Sequence, residues 1–196
     1  MSTLIAGRWK SEKQQQLADN AHIVADRMNA YLIPVPMQSG DISVNPTIKY
    51  VFTDAGKEKL RSTLGILSSS CGADIFIVDA QGTTVICSEE YLHADTPDNE
   101  EFKCRHQKTS ISPSVISAAA KVKEYRTTDR LGGIYDQSHF IVAVPFAAIG
   151  NDGREHTVGL VFVASSASAI SEFRSDISRI VVFAGMVAPV VSFSQV

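Results

Sequence analysis

The stretch GADIFIVDAQGTTVICS, residues 72–88, leaves a folding chain the fewest options. Ile75, Phe76, Ile77 and Val78 form a short unbroken apolar run, and Thr83, Thr84, Val85 and Ile86 form a second β-rich one. The turn between them opens on Asp79 and closes on Gly82, and two such runs across so short a link make a β-hairpin. The Asp79 side chain can accept a hydrogen bond from the backbone two residues on, and Gly82 tolerates the positive φ that leads from a type I turn into a bulge. Both alternating sets of the first run are apolar, so both faces of that strand must be covered. It is an interior strand with a further layer on each side.

A chain of 196 residues with 44% apolar content can bury one proper core. Ahead of the hairpin, residues 13–32 are helical in pattern, with Leu17, Ala21, Val24, Met28 and Tyr31 spaced alternately four and three apart. That is an a/d seam about two heptads long. It suits a dimer contact through Leu17, Ala21, Val24 and Met28, and equally a helix laying one face on its own domain. Pro34 and Pro36 end this helix. Residues 35–52 hold no sustained period and read as a loop with one short strand or turn. A second helix is expected over 54–70, capped by Thr53 or Asp54 and stopped by Gly72.

Residues 89–101 are acidic, contain Pro97 and carry no apolar period, which marks an exposed excursion. A third helix starts at Ser112 with Pro113 in its first turn. Strands follow over 123–128, 140–146 and 157–164, the last two linked by Asn151-Asp152-Gly153. From residue 168 a last helix repeats the heptad spacing through Ile170, Phe173, Ile177, Ile180 and Ala184, and residues 180–193 carry no charge. The elements assemble into an α+β fold, a five-stranded antiparallel sheet flanked by helices, with long N-terminal and C-terminal helices.

Several function classes are set aside. A net charge of −3 with scattered Lys and Arg gives no basic stripe for nucleic acid. No GxSxG, HExxH, P-loop or GxGxxG pattern is present, and the serines sit where caps and turns explain them, so neither catalysis nor a cofactor is expected. The start, MSTLIAGRWK, is not a signal peptide. Three cysteines, Cys71, Cys87 and Cys104, lack the paired spacing of a structural zinc site.

Five segments in succession, GADIFIVDAQGTTVICS, ISPSVISAAA, EYRTTDRLGGIY, HFIVAVPF and TVGLVFVASS, resemble the extracytoplasmic sensor region of membrane-bound sensor histidine kinases of Gram-positive anaerobes, a PAS-like domain of the PDC or Cache type. The resemblance spans about residues 60–173. It implies a domain outside the cell between two transmembrane helices, with residues 1–34 as a signalling and dimerisation helix, 35–166 as the sensor domain, and 167–196 as a helix leading into a truncated membrane span. It implies a homodimer, a parent protein anchored in the membrane, and no kinase activity in this segment, which has no kinase motif.

The resemblance also places a small-molecule pocket around EYRTTDRLGGIY, where Tyr125, Arg126, Arg130, Tyr135 and His139 could hold a small carboxylate. Because strand side chains alternate, Tyr125 and Arg126 should face opposite sides. Outside the membrane thiols oxidise, so Cys87 and Cys104 are expected to form a disulfide across the acidic excursion, with Cys71 a buried or free thiol. A metal site from Cys87, His93, Cys104 and His106 is the rival reading and ranks below the disulfide. The alternative for the whole chain is a cytosolic GAF-like regulatory domain that binds a small effector; a small enzyme ranks third.

Overall fold

The computed structural model describes residues 2–36, 48–92, 104–149 and 153–168. The expected helix beyond residue 168, the uncharged run 180–193, Pro97 and His93 lie outside the described residues.

The hairpin forms as expected. Strand β3 (Asp74–Asp79) pairs antiparallel with β4 (Thr84–Cys87), with a register shift after Ile77. The Asp79 carboxylate accepts from the backbone N–H groups of Gln81 and Thr83 at 3.0 and 2.8 Å, and Gly82 sits at φ 84°. In the sheet the order is β4-β3-β7-β6-β5, all antiparallel, with β5 Tyr125–Asp129, β6 His139–Ile149 and β7 Glu155–Ser166. β3 therefore has a neighbour on each side, and Ile75 to Val78 are fully buried. A five-stranded antiparallel sheet with flanking helices and a long N-terminal helix makes this an α+β fold.

The pleat sends alternate side chains to two separate cores. On one face Ile75 and Ile77 of β3, Val142 and Val144 of β6 and Val161 and Val163 of β7 meet helix α1 (Ser2–Arg27) and helix α2 (Asp54–Cys71). On the other face Phe76, Val78, Ile141, Ala143, Leu160 and Phe162 meet helix α5 (Pro113–Ala120) and the segments on either side of it.

Helix α1 begins eleven residues before the apolar seam predicted, and it stops at Arg27, where a 3-10 turn (Met28–Ala30) takes over. The seam residues Leu17, Ala21, Val24 and Met28 are at most 3% exposed, all within this chain's own core. The dimer reading of that seam is therefore corrected: its apolar face covers the sheet and α2, as amphipathic helices do in a single domain. Helix α2 is bounded as read from sequence, with the Thr53 hydroxyl accepting from the Gly56 N–H at 2.9 Å and Gly72 closing the other end at φ 59°. Lys13 of α1 donates to the Cys71 carbonyl at the end of α2 at 2.8 Å.

A loop with one short strand or turn is expected over residues 35–52, and the described residues at its two ends are strands. β1 (Leu32–Pro36) and β2 (Ile48–Phe52) pair as a separate two-stranded sheet. Both strands are edges, a sheet context in which proline is tolerated. The beginning of the acidic excursion is a short helix, α3 (Ser88–Leu92), which crosses α2 at Gly65; a Cβ there would lie 2.2 Å from the Tyr91 ring. After the excursion, α4 (Arg105–Lys108) returns the chain to the sheet.

Candidate functional site

The second core is apolar except at one end, where β3, β4, α3, α4 and the turn after β5 converge. Register puts Cys87 opposite Phe76 on that face. Cys104 and His106 arrive from α4, whose backbone is fastened to β4 by the Thr84 hydroxyl donating to the His106 carbonyl at 2.8 Å. Cys87, Cys104 and His106 are all fully buried.

The His106 ring is fixed on every side. Phe76 stacks on its face with centroids 4.1 Å apart, and Phe162 stacks in turn on Phe76 at 5.2 Å. Its Nε2 lies 2.8 Å from the Tyr135 hydroxyl, and its Nδ1 lies 3.1 Å from Cys87 Sγ. Tyr135 is itself 1% exposed, and the Asp74 carboxylate stands beside it with Oδ2 3.9 Å from His106 Nε2. A carboxylate on that side favours the ring proton on Nε2, donated to the phenol oxygen. Nδ1 then carries a lone pair aimed at the thiols.

Burial, reinforced by Arg105 and His139, pushes the His106 imidazole down to about 3, so it is neutral. Burial raises Asp74, with Glu89 adding to the effect, and burial followed by Asp74 raises Tyr135. The thiol pair is asymmetric. Its mutual hydrogen bond, followed by burial, pushes Cys87 up, while the same contact holds Cys104 down against the opposing effect of burial.

Glu89, two residues after Cys87, completes the cluster. Its carboxylate accepts from Arg105 Nε at 2.7 Å and from the Arg105 backbone N–H at 3.3 Å. One ligand-type atom from each of Cys87, Glu89, Cys104 and His106 lies within 4.8 Å of all the others. The neighbouring Glu90 is 9% exposed and binds Arg61 of α2 at 2.5 Å and Gln107 of α4 at 2.6 Å. α3 is thus locked to both helices while it presents Glu89.

The structure divides the five expected ligand residues. Tyr135 and His139 come together, their rings stacked at 3.8 Å. Tyr125 is half-buried against the same core. Arg126 is exposed and points the other way, pairing with Glu124 and donating to Gln15 of α1 at 2.9 Å. Arg130 is exposed too, and its carbonyl accepts from the Gly133 and Tyr135 N–H groups in the turn that carries Gly132-Gly133. The alternation expected at Tyr125 and Arg126 thus places them on opposite faces.

Cys87 and Cys104, the expected disulfide, are adjacent as free thiols; Cys71 is a buried thiol on the α1 side. Sequence reasoning missed Asp74 and Glu89. The available signal was the pair of matched spacings Cys87-x-Glu89 and Cys104-x-His106, which put two ligand types on each side of the excursion.

Among the described residues no helix is long and apolar enough to cross a membrane. No family model matches the sequence, and no curated protein matches it. Among solved structures the chain is similar to the PAS domain of BvgS from Bordetella pertussis, at 11% identity and a TM-score of 0.33, over 63% of this chain and 96% of that one.

Proposed function

We propose that this chain is the extracytoplasmic signal-sensing domain of a membrane sensor histidine kinase, acting as a homodimer and relaying its signal through its terminal helices. The observation that carries the reading is the buried polar chain Tyr135–His106–Cys87, with the Asp74 carboxylate beside it, inside a PAS-like fold. Apolar side chains would fill that end of the core at no cost in unsatisfied groups, whereas a buried polar network is stable only while every member keeps its partner. Such a network answers to a change in any one member, which suits a domain that must hold two packings close in energy. The small-molecule role of Tyr135 and His139 belongs to this reading, with the stacked rings as the floor of the site.

The free thiols favour a second reading, a cytosolic GAF-like regulatory domain that binds a small effector. An impermeant amine reagent applied to intact cells separates the two. On the extracytoplasmic reading it modifies the exposed Lys59, Lys108 and Lys121 without lysis. Modification only after lysis overturns that placement and leaves the cytosolic module. Sensing itself is tested by Tyr135→Phe in the intact receptor, which should shift phosphoryl output at unchanged abundance; unaltered output overturns it.

A further inference from the structure

Four groups of the kinds that bind borderline-soft metals meet at one point in the second core. They come from two segments, Cys87 and Glu89 on one side and Cys104 and His106 on the other, with their ligand atoms within 4.8 Å of one another. Around a four-coordinate zinc, with Zn–S about 2.3 Å and Zn–N about 2.0 Å, ligand atoms sit roughly 3.3–3.8 Å apart. A contraction of about 1 Å at the widest pair is therefore all that closure requires. We infer that Cys87, Cys104, His106 and Glu89 form a tetrahedral binding site for a zinc-class divalent cation.

The surroundings of His106 support this independently of the four ligands. A metal-bound histidine is usually oriented by a hydrogen bond from its other ring nitrogen to an acceptor that is itself held. Here Nε2 has the Tyr135 oxygen at 2.8 Å and the Asp74 carboxylate 3.9 Å away, and Phe76 stacks on the ring, so Nδ1 is left facing the cluster. Charge also balances. Binding releases the two thiol protons to solvent, and two thiolates plus the Glu89 carboxylate exceed the cation by one negative charge, which the Arg105 guanidinium at 2.7 Å offsets. A Cys87–Cys104 disulfide would engage only two of the four groups. It would leave the Nδ1 lone pair buried without a partner, a costly arrangement.

The test uses the whole chain, purified reduced and without chelators, with Zn(II) alone and Co(II) as its spectroscopic stand-in. The expected result is one zinc per chain after dialysis, and a cobalt form with sulfur-to-metal charge transfer and the intense ligand-field bands of tetrahedral coordination, displaced by zinc. Cys104→Ser should abolish the charge-transfer intensity that Cys104 contributes. Glu89→Gln, at a residue on the edge of the core, should keep the fold and weaken cobalt binding by about tenfold or more. The inference is overturned if the folded, reduced wild-type chain takes up no stoichiometric metal. It is overturned equally if its cobalt form is octahedral without charge transfer, or if peptide mapping of protein from its native compartment finds Cys87 bonded to Cys104. The metal titrations are made on the purified, reduced chain, so failure of the kinase reading leaves this one standing.

Discussion

Tyr135 is the residue on which the candidate site turns, because its hydroxyl is the hydrogen-bond partner of His106 Nε2. Tyr135→Phe keeps the ring that packs in the second core and removes that oxygen. The Nε2–H donor of His106 then loses its acceptor in a fully buried place, which should lower stability by about 1–3 kcal/mol, read from the urea midpoint. With its orienting partner gone, His106 should hold cobalt about 10–100-fold less tightly in a direct titration. A variant that loses stability and keeps metal affinity would make Tyr135 a packing residue only. Tyr135 and His139 entered the sequence reading through the resemblance alone, and that their rings stack is a contact the local pattern does not carry. Asp74 was hidden at the head of an apolar strand, and its role depends on His106, a partner in a distant segment that no local pattern connects to it.

Among the elements, α1 had two readings that sequence leaves equal, since the same four-and-three spacing serves a partner helix or the domain's own sheet. The fold resolves it, and substitution should reproduce the resolution. Met28→Ala, at a fully buried position, should cost about 2–5 kcal/mol, seen as a lower urea midpoint that does not depend on protein concentration. Ile23→Asp, at a position 45% exposed, should change stability by about 0.5 kcal/mol or less. A concentration-dependent loss in Met28→Ala would restore the seam to a dimer. The start of helix α2 and the turn of the β3–β4 hairpin were legible because Thr53, Asp79 and Gly82 act within a few residues of themselves. The β1–β2 pair was not, because Pro34 and Pro36 argue against a strand unless it is known to be an edge.

For the molecule as a whole, one sheet separates two cores, and Gly159 lies where the strands come closest to its partners. A Cβ there would stand 2.3 Å from the Val78 carbonyl oxygen and 2.6 Å from the Phe146 ring. The carbonyl belongs to the β3 backbone and cannot swing aside, so Gly159→Ala should destabilise by about 1–3 kcal/mol. Unfolding should remain a single transition by near- and far-UV circular dichroism, since β7 borders both cores; two separated transitions would mean that the layers fold independently. The sheet also gives the contact between Lys13 and the Cys71 carbonyl a wider meaning. Three residues further on stands Asp74, whose carboxylate lies 3.9 Å from the His106 ring nitrogen. The N-terminal helix and the buried thiols therefore share one footing, the four residues from Cys71 to Asp74. Sliding α1 by a helical turn, about 5.4 Å, would have to break the lysine contact or drag that footing with it. A force applied to the end of the helix thus has a short mechanical path to the chemistry in the opposite core, and a ligand that stiffens that chemistry resists the force in return.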